Sequence, residues 1–133
     1  MATLIDSSVL IAAERGRLEW DRVVAAHATE EVALAAITAS ELLHGVHRAP
    51  SAKARTRRSA FVEQLLARLP IIPFDLLAAR VHARVWAELA AKGMGVGTHD
   101  LLIGATALAT GGRVATRDLR SFSRIPGLDV VEW

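Results

Sequence analysis

Short apolar runs alternate with longer amphipathic segments along the whole chain, the pattern of an α/β domain with a mainly parallel sheet. Residues 3–5 predict a first strand, and residues 7–14 a helix directly behind it. A second helix is expected over 18–28, then a buried strand over 32–37. Helices follow over 38–48 and 51–68, the latter with Phe61, Leu65 and Leu69 on one stripe. Residues 71–73 are expected to be extended, since proline excludes a helical continuation. Asp75 is placed to cap a helix on which Leu77, Val81, Val85 and Leu89 recur every four residues, and Gly93 to stop it. A last long helix over 100–110 ends at Gly111 and Gly112, and residues 113–115 and 129–131 predict the final two strands. No repeat or linker interrupts the series, so one domain over residues 1–133 is expected.

Composition narrows the classes. With 52% hydrophobic residues the chain has enough apolar surface for a core, against a reading of disorder. The absence of cysteine removes disulfides, thiolate zinc sites and cysteine nucleophiles together, and fits a cytoplasmic protein. Residues 1–13 carry Asp6 inside their apolar run and no basic leader, which argues against a secretory signal. The apolar runs 32–39 and 101–110 fall short of the roughly 18 residues a membrane span needs. Net charge is only +2, but Arg48, Lys53, Arg55, Arg57 and Arg58 follow one another with no acid among them. Such a run can neutralise phosphates, and equally can be a solvated helix start.

The acids are more informative. Ligands of open α/β sheets collect at the carboxyl ends of strands, beside the helix starts that follow. Asp6 comes directly after Leu4 and Ile5, and Glu41 lies in the first turn expected behind strand 32–37. Asp100 opens the helix leading to strand 113–115, and Asp118 lies just past that strand. Each has a structural alternative. Asp6 can be an N-cap, Thr38 and Glu41 a capping box, Thr98 a cap with Asp100 complementing the dipole, and Asp118 a turn residue. Capping explains each acid separately, whereas a common site explains the set. Two carboxylates about 4 Å apart repel by roughly 4 kcal/mol at an effective dielectric near 20. A cluster of them strains a marginally stable domain unless it takes up protons or binds cations. All-oxygen donors suit Mg²⁺ or Mn²⁺. An ion held in this way can activate water and neutralise charge building on a phosphodiester.

Competing motifs are weaker. Glu41, His44 and His47 form Glu-x-x-His-x-x-His, but no second helix offers a matching motif for a two-histidine metal site. His99 stands beside Asp100, at the expected mouth of the site. Gly93, Gly95 and Gly97 follow a helix rather than a strand, which rejects a dinucleotide fingerprint. Ser7 and Ser8 lack a histidine–acid relay.

Four segments, in order and spacing, resemble the PIN-domain family, and within it the VapC toxins of bacterial toxin–antitoxin pairs. They are Leu4-Ile5-Asp6-Ser7-Ser8-Val9-Leu10-Ile11, Ser40-Glu41-Leu42-Leu43-His44-Gly45, His99-Asp100-Leu101-Leu102-Ile103-Gly104-Ala105-Thr106-Ala107, and Val114-Ala115-Thr116-Arg117-Asp118 with Phe122-Ser123-Arg124-Ile125-Pro126-Gly127-Leu128 behind it. The resemblance covers essentially the whole chain. It implies a PIN-like three-layer domain, with a five-stranded, mainly parallel sheet flanked by helices. It implies Asp6, Glu41, Asp100 and Asp118 as the metal-binding, catalytic quartet, with Ser8 and Thr116 supporting them. The implied activity is Mg²⁺- or Mn²⁺-dependent endonucleolytic cleavage of RNA by a toxin. Arg48, Lys53, Arg55, Arg57, Arg58 and Arg117 are the expected RNA contacts. The implied partners are a second copy of the chain and a VapB-like antitoxin that blocks the site, in a heterotetramer or larger assembly. A housekeeping nuclease of the same family, acting in RNA processing or on DNA, would share this chemistry. A catalytically silent nucleic-acid-binding module would be marked by loss of acids, and all four are present. One departure stands out. Family members often carry a further acid three residues past the Asp118 position, many with asparagine in place of Asp118; here Ser121 occupies the further position. Asp118 would then serve in that acid's stead, which leaves open whether one ion is bound or two.

Overall fold

Leu4 and Ile5 are neighbours on one strand, so their side chains point to opposite faces. Both are fully buried, and the strand that carries them must therefore lie between two layers. The computed structural model describes residues 2–133, leaving Met1 outside the described residues. The elements are β1 (Ala2–Ile5), α1 (Ser7–Glu14), α2 (Trp20–Ala26), β2 (Glu31–Ala35), α3 (Ala36–His47), α4 (Ala52–Arg68), β3 (Ile71–Ile72), α5 (Leu76–Ala91), α6 (Thr98–Ala109), β4 (Arg113–Thr116), α7 (Leu119–Phe122) and β5 (Val130–Glu132).

The five strands form one sheet in the order β3-β2-β1-β4-β5, and every pairing is parallel. In the centre Leu4 sits between Ala33 of β2 and Val114 of β4. On one face Leu4 and Val114 pack with Val85 and Leu89 of α5, Ile103 and Ala107 of α6, and Phe122 of α7. On the other, Ile5 and Leu34 pack with Val9 and Leu10 of α1, Leu42 and Val46 of α3, and Val62 and Leu65 of α4. Full burial of each large apolar side chain contributes about 1.5–3 kcal/mol. From β1 the chain runs outward through β2 to β3, then crosses back to lay β4 and β5 on the other side of β1. The strand order thus reverses between β1 and β4, the place where open α/β sheets form their ligand crevice.

Several element ends differ from expectation, each for a local reason. Strand β2 stops at Ala35 and α3 begins at once at Ala36, capped by Ala35 without a side-chain hydrogen bond. Thr38 is thereby inside the helix, its hydroxyl buried and unpartnered, and the alternative of a Thr38–Glu41 capping box is not realised. Thr98 likewise starts α6 rather than capping it; the cap is Gly97. On α5 the Asp75 carboxylate accepts from the Ala78 amide at 2.9 Å, which sets the helix phase so that Ala78, Val85 and Leu89 face inward. Leu77 falls off that stripe and is 56% exposed. Helix α2 is shorter than the expected 18–28 and buries no residue. Helix α7 was not foreseen; the Asp118 carboxylate starts it. The glycine stops at Gly93 and Gly111 do adopt positive φ, 65° and 68°.

Gly112 has a second role. Its N–H closes the end of α6 on the Ala107 carbonyl at 2.8 Å, and a Cβ there would overlap the backbone carbonyl oxygen of Ala2. Backbone cannot yield as a side chain can. Gly112→Ala should therefore lower the unfolding free energy by about 1–3 kcal/mol in urea titrations. Gly45→Ala, in α3 with open space around the site, should raise it by about 0.5–1 kcal/mol. Equal stabilities for the two variants would refute the close approach at Gly112.

Candidate active site

Asp6 is the first residue past β1, and its amide continues the ladder to Ala115 at 2.9 Å. It also caps α1 and is only 4% exposed. Three donors converge on Asp6 Oδ2: the Ser8 hydroxyl at 2.6 Å, the Thr116 hydroxyl at 3.0 Å and the Ser8 amide at 3.4 Å. Each hydroxyl has a single proton to give, so both are committed to Asp6. Their lone pairs then accept from the next turn, Ser8 Oγ from the Arg117 amide at 3.0 Å and Thr116 Oγ1 from the Asp118 amide at 2.8 Å. The loop after β4 is in this way fastened to the start of α1.

Glu41 is the sixth residue of α3, two positions deeper than a first-turn acid, so it is free of any capping duty. His99 Nδ1 lies 3.4 Å from Glu41 Oε2, while Glu41 Oε1 is buried with no hydrogen-bond partner. Asp100 lies in the first turn of α6, where the helix dipole favours an anion, and its Oδ2 accepts from the Ser121 hydroxyl at 2.6 Å. Asp118 is exposed and caps α7 through the Ser121 amide at 3.4 Å.

The carboxyls of Glu41 and Asp100 are both pushed above their ordinary values. For Glu41 the largest cause is desolvation, followed by repulsion from Asp6, with the His99 contact pulling the other way. For Asp100 desolvation again leads, the Ser121 hydrogen bond opposes it, and repulsion from Asp6 and Asp118 adds to it. The fields of all four acids therefore overlap. For both, loss of water around a half-buried carboxylate comes ahead of the repulsion between acids. At the opposite end of the sheet, Glu30 shows the contrary case. His27 at 2.7 Å, Arg113 at 2.9 Å and the Thr3 hydroxyl at 2.9 Å hold its carboxylate, and its pKa falls to about 2.

Among the described residues no three His, Asp or Glu side chains stand as a ready-made metal cage. A hard divalent ion does not require one, since Mg²⁺ keeps several waters and takes one or two carboxylates with substrate phosphate. The donor set is all oxygen, and Glu41 Oε1, buried without a partner, is an atom a cation would satisfy. The residues fit such an ion.

A cleft of about 540 Å³ leads away from Glu41, lined by Arg15, Arg48, Arg58, His44 and His99 among others. Of the predicted basic residues, Arg48 and Arg58 line it, and Arg58 also donates to the Gly45 carbonyl at 3.0 Å. Lys53 and Arg55 are exposed on α4 outside the cleft. Arg57 lies 3.6 Å from Glu14, and Arg117 reaches the Trp133 carbonyl at 3.4 Å. Arg15 was missed; it follows α1, well upstream of the basic run in sequence, and joins Arg48 and Arg58 only because α1 packs on α3. His44 lines the cleft and His47 does not, so the Glu-x-x-His-x-x-His motif does not converge.

A family model described as PIN domain matches residues 3–128. The chain is 34% identical to "Ribonuclease VapC1" of Rickettsia felis, over 98% of this chain and 96% of that protein. It is 37% identical to "tRNA(fMet)-specific endonuclease VapC" of Salmonella typhimurium, over 79% of this chain and 77% of that protein. Among solved structures it superposes with a TM-score of 0.88 on a chain of DNA-bound VapBC from Salmonella typhimurium, at 31% identity, covering 100% of this chain and 99% of that one.

The raised carboxyls carry a pH dependence. With a native pKa above the unfolded one, the folded state binds the proton more tightly. Below the ordinary values of 4.5 for Glu41 and 3.8 for Asp100, both states are protonated and nothing is lost. As pH rises above those values and through the native ones, stability falls, and the deficit is complete once both states are ionised. Without divalent ions, Asp100→Asn should leave the melting temperature near pH 3 almost unchanged. Near pH 7.5 it should raise it by a few degrees, about 1 kcal/mol. A lower melting temperature at pH 7.5 would mean that Asp100 serves α6 as a dipole partner more than it burdens the site.

Proposed function

Because this chain belongs to the PIN-domain family and, within it, to the VapC group, we propose that it is an Mg²⁺- or Mn²⁺-dependent endoribonuclease acting as the toxin of a VapBC-type pair. The observation that carries the reading is the buried Asp6 at the β1–β4 crevice, flanked by two half-buried carboxyls of raised pKa. The names of the relatives, a ribonuclease and a tRNA(fMet)-specific endonuclease, support RNA as the substrate class. Asp6, Glu41 and Asp100 would hold the ion, with Asp118 at the rim. When bound, it supplies an activated water and neutralises charge on the phosphodiester.

The chain's own residues supply the rest. Ser8 and Thr116 hold the Asp6 carboxylate in one orientation by donating to it. Arg15, Arg48 and Arg58 offer cationic contacts to the phosphates that flank the cut, along the cleft that leaves Glu41. His99 borders both Glu41 and that cleft, where it restrains the Glu41 carboxylate.

The VapBC complex among the structural neighbours supports a VapB-like antitoxin as partner; the reading adds a homodimer of the chain inside a heterotetramer or larger assembly. An apolar groove beside Glu41, lined by Leu10, Ile11, Leu42, Phe61 and Val62, offers that partner a seat from which to cover the acids. No helix among the described residues is long and apolar enough to cross a membrane, and the reading places the protein in the cytoplasm with its RNA.

Purified protein should cut total RNA in Mg²⁺ or Mn²⁺, stop in EDTA, and resume when the ion is restored. Asp6→Asn should reduce the rate at least about 100-fold, as expected for loss of a group that holds the reacting charge. Cutting that persists in chelator, or an Asp6→Asn variant as fast as the original, would overturn the mechanism.

A further inference from the structure

We propose that Ser121 is a positioning residue of the cation site, its hydroxyl fixing the Asp100 carboxylate across from a different element. The Ser121 Oγ–Asp100 Oδ2 distance is 2.6 Å over a separation of 21 residues. Among the described residues no other side chain hydrogen-bonds that carboxylate.

The local geometry explains why this hydroxyl is available. Ser121 is the third residue of α7, and Asp118 is the N-cap. In a reciprocal capping box the side chain at that third position would turn back to the N-cap amide. Here the Asp118 amide is already taken by Thr116 Oγ1 at 2.8 Å. The Ser121 hydroxyl is left to reach across to α6, while its own amide holds the Asp118 carboxylate. One residue thus grips two acids from separate elements.

Its backbone is anchored. The next residue, Phe122, is fully buried, and Ile125 is 2% exposed in the same core. The backbone of Gly97 lies close to the same oxygen: an added Cβ there would stand 3.5 Å from Asp100 Oδ2. Because serine is neutral, it orients an acid without adding a negative charge to the four already present. That is a physical reason for a hydroxyl at this place beside Asp118.

The inference rests on Asp100 being a cation-binding acid, and the test separates the two ideas. Mn²⁺ is titrated calorimetrically into the metal-free full chain, and RNA cleavage is followed against Mg²⁺ concentration. S121A should weaken Mn²⁺ binding about tenfold, in the range seen when partners of metal ligands are removed. The Mg²⁺ concentration for half-maximal cleavage should rise by a similar factor, with the rate at saturation little changed and the melting temperature in EDTA within a few degrees of the original. S121T should restore binding to within about threefold. Should S121A melt early, the isosteric pair S121T and S121V carries the comparison, and only S121V should bind weakly. S121A binding Mn²⁺ as tightly as the original, or S121T and S121V weakened equally, overturns the positioning role alone. If the original chain binds no Mn²⁺ and cuts no RNA, the metal reading of the whole site fails, and this inference with it.

Discussion

A carboxylate taken out of water is costly unless hydrogen bonds replace the water it loses, and Asp6 is 4% exposed. Ser8 and Thr116 donate to a single oxygen of it, and the first turn of α1 adds an amide. Those hydroxyls come from α1 and from the end of β4, strands and helices far apart in sequence. Their acceptor sides take amides from Arg117 and Asp118, so the turn that carries the fourth acid is positioned by the first. Ser121 then extends the chain of contacts to Asp100. Asp6, Asp118 and Asp100 are thus joined in one hydrogen-bond network centred on the Asp6 carboxylate, while Glu41 stands beside it in contact with His99.

The sheet makes this network possible. With β1 between β2 and β4, the carboxyl ends of β1 and β4 open side by side, and helices leave in both directions. Asp6 and Thr116 meet because β1 and β4 are paired, with Ile5 opposite Ala115. Glu41 and Asp100 approach from α3 and α6, which pack on each other. An acid on a helix rather than a loop has its backbone fixed by the core beneath it. Leu42 next to Glu41 and Leu101 next to Asp100 are both 6% exposed.

Much of this was legible in the sequence because burial writes itself as periodicity. The apolar runs gave five strands and the long helices, and the acids at their ends gave a common locus. What was not legible depends on phase and on contacts between distant segments. One or two residues in the start of α3 decided that Glu41 is no capping acid. A one-residue shift on α5 put Ala78 rather than Leu77 inside. Arg15 joins Arg48 and Arg58 only in the packed molecule. Ser121 stood out as a departure from the family pattern, but the destination of its hydroxyl follows from Thr116 having claimed the Asp118 amide. Local sequence carries no trace of that competition.

The central claim is that these acids, burdened by burial and by one another when bare, hold a hard divalent cation. Its most direct measurement is the melting temperature at pH 7.5 across a titration of Mn²⁺ into metal-free protein, alongside Asp6→Asn. A ligand that binds only the folded state stabilises by RT ln(1 + [L]/Kd). The melting temperature of the original chain should therefore climb with the logarithm of Mn²⁺ concentration above Kd, while that of Asp6→Asn should stay nearly flat. A flat curve for the original chain, or the same climb in both, would contradict the claim.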